Sequence, residues 1–183
     1  MTDHFVKDFI FDDEQVETLK NKYQEVFPRL SRAGIYSSDR GAYFGDHRNC
    51  DNVSFQYREF PDISLELLKL VGEIAPENLL EDLWFAQFEF IRYEGFGQQF
   101  GRHNDDAIGG TRHNRFYTSV TMIEKSKDLS GGKLKIWTPS QKEYIIDLDP
   151  FETIIFPAHY DHEATPILKG RRVVLISWAQ RGK

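Results

Sequence analysis

The chain has 183 residues, of which 40% are hydrophobic and 14% aromatic, a composition typical of a globular protein and not of a disordered segment. The formal net charge of −6 comes without any basic stripe, so we expect no nucleic-acid partner. The single cysteine, Cys50, excludes an internal disulfide and favours a cytoplasmic setting, and no apolar run has the roughly 20 residues of a membrane span, so we expect no membrane partner.

Two helices are predicted in the first half of the chain. Apolar residues recur at helical spacing over residues 12–27 and again from Ser64 to Ile74. The residues suited to cap these helices are Asp12 or Asp13 and Asp62 or Ser64. Ala33 to Ser54 is rich in Gly, Tyr, Asp, Arg and Asn, which predicts a long loop of the kind that often acts as a lid.

Strands are predicted from residue 82 onward, where short runs rich in aromatic and β-branched residues alternate with turn signals. The predicted strands are 84–93, 116–123, 133–137, 144–146, 153–156 and 171–178. Several short strands at this spacing indicate a mainly β sandwich or barrel, with the helices packed on one side. We expect one domain over residues 1–183, in which 1–80 supply helical support and a loop region and 81–183 the β core.

Three residues suggest a metal site. His103 and Asp105 are two positions apart, and alternate residues of an extended strand point to the same face. His162 follows another apolar run. Two histidines and one carboxylate on one face of a metal leave three adjacent positions open, as in non-haem iron(II) oxygenases, whereas a closed four-ligand zinc site leaves none. His159 is the alternative to His162, and Asp106 is the alternative to Asp105.

A buried arginine is predicted on the last strand. Arg172 shares one strand face with Val174, Ile176 and Trp178. A guanidinium among apolar residues requires an anion, and its two-pronged geometry matches a carboxylate. That carboxylate belongs either to a bound ligand or to a protein side chain.

A series of motifs runs in order through Phe88 to Gln180. They are Arg92-Tyr93-Glu94-Gly95-Phe96, Phe100-Gly101-Arg102-His103-Asn104-Asp105, Thr118–Ile123, Gly131-Gly132-Lys133-Leu134, His162-x-x-x-Pro166-Ile167-x-x-Gly170-x-Arg172 and Trp178. Together they resemble the 2-oxoglutarate/Fe(II)-dependent oxygenases, and within them the prolyl-4-hydroxylase-like group. The resemblance implies a double-stranded β-helix, or jelly roll, with His103, Asp105 and His162 as the Fe(II) ligands. It further implies that Arg172 and Tyr93 contact 2-oxoglutarate. Some relatives place a second tyrosine in that pocket where this chain has Met122, and Thr118 or Thr121 is the candidate to supply a hydroxyl there instead.

The activity implied by the resemblance is that of a dioxygenase, which uses O2 and 2-oxoglutarate to hydroxylate a substrate C–H bond, with ascorbate as reductant in vitro. A prolyl residue of a peptide or protein is the first substrate class expected, and a free amino acid or other small metabolite is the second. A sensor module that binds metal and 2-oxoglutarate without turnover is an alternative of another class, and a zinc hydrolase is a third. The residues expected at the site entrance are Tyr36, Arg40, Tyr43, Arg48 and Arg115.

Overall fold

The computed structural model describes residues 5–37, 41–43, 47–106 and 114–181, and the side chains at 35–37, 41–43, 57 and 78 lie outside that description. The helices are α1 (Asp13–Val26), α2 (Pro61–Gly72) and the short α3 (Glu77–Leu80), with 3-10 turns at Phe27–Arg29 and Tyr57–Glu59. The strands are β1 (Val6–Asp8), β2 (Ser31–Arg32), β3 (Ile35–Ser37), β4 (Gly41–Tyr43), β5 (Arg48–Asn49), β6 (Asp51–Gln56), β7 (Leu83–Tyr93), β8 (Gln99–His103), β9 (Arg115–Lys125), β10 (Ser130–Gly131), β11 (Leu134–Trp137), β12 (Glu143–Ile146), β13 (Thr153–Pro157), β14 (Asp161–Ala164), β15 (Ile167–Lys169) and β16 (Arg172–Arg181).

The first helix begins where the sequence predicts. The Asp12 side chain accepts a hydrogen bond from the Gln15 backbone N–H at 2.8 Å, and the Gln15 side chain accepts one from the Asp12 N–H at 3.0 Å. This reciprocal pair is a capping box, which satisfies two backbone donors at the helix start. Leu19, Tyr23 and Val26 form the buried face of α1.

The second helix begins earlier than predicted. Pro61 is its first residue and Phe60 precedes it as the cap residue, so neither Asp62 nor Ser64 is the cap. Proline suits the first helical position because its fixed φ is helical and it lacks an N–H that would go unpaired there. The Ser64 hydroxyl instead donates to the Phe60 carbonyl at 2.9 Å.

The strands form two main antiparallel sheets and two small ribbons, the ribbons being β10-β15 and β3-β4. The larger sheet has the order β1-β13-β9-β16-β7-β6-β2, and the smaller has the order β12-β11-β14-β8-β5. Buried residues from both sheets form one hydrophobic cluster, for example Ile91 and Val174 with Ile136. The two sheets therefore pack face to face as a jelly roll, which confirms the predicted fold class.

A second core lies on the other face of the larger sheet. There α1 and α2 contribute residues such as Leu19 and Leu67, which pack with Phe88, Phe90 and Leu175 of the sheet. The sheet is thus covered by the helices on one face and by the smaller sheet on the other. This arrangement confirms that the helices pack on one side of the jelly roll.

The prediction of a long loop at Ala33–Ser54 is wrong for much of the described part of that segment. It contains the β3-β4 ribbon, β5 of the smaller sheet and most of β6, which pairs with β7 in the larger sheet. Val53 and Phe55 of β6 are buried while their neighbours Ser54 and Gln56 are exposed, which is the alternation of a half-buried strand. Since β1, β2, β5 and β6 all precede residue 81, both sheets draw on the first part of the chain. Among the described helices, none is long and apolar enough to cross a membrane.

Candidate active site

The three residues predicted to bind metal converge between the two sheets. His103 ends β8 and pairs across the sheet with His162 of β14. Asp105 Oδ1 lies 3.9 Å from His103 Nε2, and Asp105 Oδ2 lies 3.5 Å from His162 Nε2. One ligand atom from each residue lies within 4.8 Å of the others. Asp105 itself follows the strand in a bend, where its N–H donates to the Ala158 carbonyl at 2.9 Å, so strand alternation is not what orients it.

The hydrogen bonds of the two imidazoles determine which ring nitrogens face the centre. His103 Nδ1 lies 2.7 Å from the Gly101 carbonyl oxygen, and His162 Nδ1 lies 3.1 Å from that of Tyr160. Because a carbonyl can only accept, each Nδ1 carries a hydrogen, and Nε2 is the nitrogen that each ring turns toward Asp105. Two imidazole nitrogens and a carboxylate thus face one another. The donor set therefore fits a cation held at the centre.

The ionisation states suit a metal ligand set. Burial, together with the adjacent His162, lowers the pKa of His103 to about 3, so its ring is neutral at pH 7. Burial opposes ionisation of Asp105, but its neighbours, first His162 and then His103, hold the pKa of the carboxyl below its ordinary value. The Thr118 hydroxyl, which donates to Asp105 Oδ2 at 2.7 Å, and the nearby Arg115 act in the same direction. Neutral imidazole and ionised carboxylate are the forms that bind metal.

Arg172 is a buried cation beside Tyr93. The two residues pair across β16 and β7, and Arg172 Cζ lies 5.1 Å from the centre of the Tyr93 ring. One guanidinium nitrogen donates to the Gly132 carbonyl, while Nε has no hydrogen-bond partner. Burial lowers the pKa of the Arg172 guanidinium. Among the described residues no carboxylate lies within 4.0 Å of it, so a protein counterion is not the partner there and a ligand carboxylate fits.

Gly132 is required at the turn that supports Arg172. Its φ is +61°, a conformation that side chains rarely adopt, and a Cβ at this position would collide with Ile167. The turn therefore allows the Gly132 carbonyl to approach the guanidinium. The neighbouring Arg171 points the other way, and its guanidinium pairs with Glu124 and lies 3.5 Å from Glu94.

Arg115, predicted at the site entrance, lies next to the metal cluster. Its Cζ is 3.7 Å from the Trp178 ring centre and its Nη1 is 3.9 Å from Asp105 Oδ1. Trp178 is 9% exposed. Tyr36 and Tyr43 lie in the β3-β4 ribbon with side chains outside the described residues, and Arg40 lies outside them altogether.

The alternative ligands lie apart from the cluster. His159 is exposed, and its ring packs edge-on against Tyr160 at 5.0 Å. Within the described ranges, the one group of three possible metal ligands contains neither His159 nor Asp106. The geometry therefore supports His162 and Asp105 over these alternatives.

Two contacts were missed by the sequence analysis. Thr118 and Thr121 were considered as replacements for a tyrosine in the co-substrate pocket, but Thr118 bonds Asp105 and Thr121 bonds Thr153 at 2.8 Å. Met122 is buried in the cluster between the sheets. The alternation of β9 could have predicted that Thr118 faces the site, because residues 118, 120 and 122 lie on the same face of the strand.

A jelly roll that gathers two histidines and a carboxylate between its sheets has the ligand set of the non-haem iron(II) oxygenases. The model of the family described as the 2OG-Fe(II) oxygenase superfamily matches residues 88–180, about half of the chain. The chain therefore belongs to the 2OG-Fe(II) oxygenase superfamily. Membership implies Fe(II), 2-oxoglutarate and O2 as the reacting components.

Sequence relatives carry the name PKHD-type hydroxylase. The one from Synechococcus sp. (strain JA-2-3B'a(2-13)) is 28% identical over 141 residues, which cover 74% of this chain and 60% of that protein. The one from Paraburkholderia phytofirmans is 32% identical over 131 residues, which cover 67% of this chain and 54% of that protein. The matched part of the chain thus spans little more than half the length of these relatives.

Solved structures share the fold at low sequence identity. A Pseudomonas putida prolyl-4-hydroxylase superposes with a TM-score of 0.74 at 17% identity, covering 100% of this chain and 95% of that one. A prolyl hydroxylase from Trichoplax adhaerens, in complex with a hypoxia inducible factor peptide fragment, gives 0.72 at 17% identity, covering 98% and 84%. The epimerase SnoN from nogalamycin biosynthesis gives 0.69 at 10% identity, covering 98% and 78%. These likenesses establish the fold, and enzymes of different reaction types share it.

Proposed function

We propose that the chain is a 2-oxoglutarate- and Fe(II)-dependent dioxygenase that hydroxylates a substrate C–H bond. The observation that carries the proposal is that His103, Asp105 and His162 direct three possible metal-ligand atoms at one another, while both Nδ1 atoms face backbone carbonyls. When bound there, iron(II) with O2 supplies the oxidation, in which one oxygen atom enters the substrate and the other converts 2-oxoglutarate to succinate and CO2.

We assign the 2-oxoglutarate pocket to Arg172 and Tyr93. The Gly132 carbonyl engages one Arg172 nitrogen and leaves other donors of the fork for the carboxylate that is remote from the metal. Tyr93, which is 2% exposed, forms one wall of this pocket. Val174 of the buried cluster helps to exclude water, which strengthens the charge-assisted hydrogen bonds.

We assign Thr118 to orienting the Asp105 carboxylate and Arg115 to contact with the substrate. The Thr118 hydroxyl holds Asp105 Oδ2 and so limits rotation of the carboxylate. Arg115, placed over Trp178 beside Asp105, is the described residue that we assign to substrate contact. Tyr36, Arg40 and Tyr43 remain proposals for the same role on the entrance side.

The substrate class proposed first is a prolyl residue of a peptide or protein. The names of the relatives and the prolyl hydroxylases among the structural neighbours, one of them bound to a peptide, support this choice. A free amino acid or another small metabolite is the second choice, since an epimerase from nogalamycin biosynthesis shares the fold. The single, buried cysteine supports our proposal of a cytoplasmic location.

The test is a substrate screen with Fe(II), 2-oxoglutarate and ascorbate. Proline-containing peptides and free amino acids are incubated with the chain in air and under argon, and succinate and the addition of one oxygen atom are measured. We expect O2-dependent succinate together with an oxidised peptide, and neither with Asp105→Ala. Binding of 2-oxoglutarate without any succinate would support the sensor alternative. Turnover that continues under argon would support a hydrolase.

A further inference from the structure

Arg48, expected from the sequence at the site entrance, has its guanidinium engaged inside the protein. Its Nη2 lies 3.1 Å from Glu89 Oε2, and its Nη1 donates to the Gly34 carbonyl at 3.2 Å. The other Glu89 oxygen accepts a hydrogen bond from the Asn52 side chain. The Arg48 and Glu89 side chains are 15% and 7% exposed. The cation is therefore held in one place between β5 and β7.

The guanidinium begins a stack that ends at a proposed metal ligand. Arg48 pairs with Phe100 across β5 and β8, and its Cζ lies 4.9 Å from the Phe100 ring centre. The Phe100 ring is stacked on the His103 imidazole, with 3.7 Å between centres and 19° between planes. A cation attracts an aromatic face, and stacked rings restrict each other's rotation. Fixing the guanidinium thus limits movement of the imidazole.

Backbone hydrogen bonds that begin at His47, next to Arg48, also fix the His103 Nδ1 atom. The Gly101 N–H donates to the His47 carbonyl at 2.7 Å, and the Gly101 carbonyl accepts from His103 Nδ1 at 2.7 Å. A Cβ at Gly101 would lie 2.5 Å from His47 Nδ1, so glycine leaves room for the His47 ring in its present position. The imidazole is consequently held both at its face and at its Nδ1 atom by contacts that begin at residues 47 and 48.

We propose that Arg48 is a positioning residue for the metal ligand His103. Its ion pair with Glu89 fixes the guanidinium, the guanidinium holds Phe100, and Phe100 sets the plane of the imidazole and hence the direction of Nε2. This inference rests on the proposed function, in which His103 binds the metal. Partners that orient a metal ligand change metal affinity by roughly 10–100-fold, so loss of the stack weakens metal binding without removing any ligand.

The experiment measures Co(II) binding by the metal-free full chain, followed by the visible absorption of the bound ion. Arg48→Met keeps the apolar stem and removes the cation, and we expect roughly tenfold weaker binding with an altered spectrum. Arg48→Lys restores a cation over Phe100, and we expect it to recover most of the affinity. Phe100→Leu leaves the ion pair in place but removes the ring, and we expect the same loss as for Arg48→Met.

Arg92→Met is the matched control. Arg92 also forms an ion pair, 2.8 Å from Asp51, and lies 5.0 Å from the ring centre of Phe27, with 19% of its side chain exposed. It lies on β7 next to Ile91, whose side chain enters the cluster between the sheets, and alternation directs Arg92 to the helical side. We expect Arg92→Met to bind Co(II) with the affinity and spectrum of the unmodified chain.

The outcomes separate the two levels of the proposal. Unchanged affinity and spectrum in Arg48→Met, or an equal loss in Arg92→Met, would overturn the positioning role while leaving the metal site intact. If Arg48→Met does not fold, Phe100→Leu decides the question by the same criterion. Failure of the unmodified chain to bind Co(II) would refute the proposed function, and the positioning role with it.

Discussion

Replacing Arg172 by lysine tests the co-substrate pocket. Arg172 is 3% exposed and has no carboxylate within 4.0 Å among the described residues, so the carboxylate of a bound ligand would be its nearest counterion. Lysine keeps the charge but loses the two-point geometry of the guanidinium. Hydrogen bonds to charged groups contribute about 1.5–3 kcal/mol each, so loss of one of them corresponds to roughly a 10- to 150-fold increase in the Kd for 2-oxoglutarate.

The matched control is Arg171→Lys. The Arg171 side chain is 36% exposed and pairs with Glu124 on the strand face opposite to Arg172. A surface ion pair contributes only about 0–1 kcal/mol to stability. We expect its Kd for 2-oxoglutarate to be unchanged. The assay is calorimetric titration of the metal-loaded chain with 2-oxoglutarate, supported by the 2-oxoglutarate dependence of succinate formation. Equal effects of the two substitutions would refute the assignment of the two strand faces.

Three further predictions concern the metal centre. Thr118→Val removes the hydroxyl that holds Asp105, and we expect roughly tenfold weaker Co(II) binding, whereas Thr121→Val should bind normally in the same titration; equal losses would contradict the orienting role. The pKa of His103 falls from 6.5 to about 3 on folding, so the unfolded state binds more protons between these values. The free energy of unfolding of the metal-free chain should therefore fall by up to ~1.4 kcal/mol per pH unit as the pH drops below 6.5, and His103→Gln should reduce that slope in urea titrations at pH 6.5 and 5; identical slopes would exclude the shift. Because the proposed function gives Asp105 a coordination position that a halide would need, bromide buffer should leave the product hydroxylated, and a brominated product in mass spectra would show that Asp105 is not a ligand.

Local signals in the sequence predicted much of the fold. Asp12 and Gln15 lie at the start of an amphipathic run, and they form the capping box that starts α1. The long strands β7, β9 and β16 were also predicted, because their apolar content is high along the whole length. The strands at residues 48–56 were missed because their polar neighbours and short length resemble a loop, and their pairing partners are distant in sequence. Tertiary pairing, not local propensity, makes these segments strands.

The sequence predicted which residues form the candidate site but not how their side chains are oriented, for a similar reason. His103, Asp105, His162 and Arg172 belong to spaced motifs that the sequence displays. The orientation of each side chain depends on contacts between segments far apart in the chain, such as the Thr118 hydroxyl on Asp105, 13 residues away. No spacing rule gives such contacts, since they exist only once the sheets have paired.

Anaerobic equilibrium dialysis against Fe(II) tests the metal centre most directly. The unmodified chain and His159→Ala should each bind one Fe(II) per chain. His103→Ala, Asp105→Ala and His162→Ala should bind weakly or not at all, while their circular dichroism spectra remain those of the folded protein because the sheets pack without the ion. Retention of Fe(II) by His162→Ala together with its loss in His159→Ala would contradict the assignment of the metal ligands.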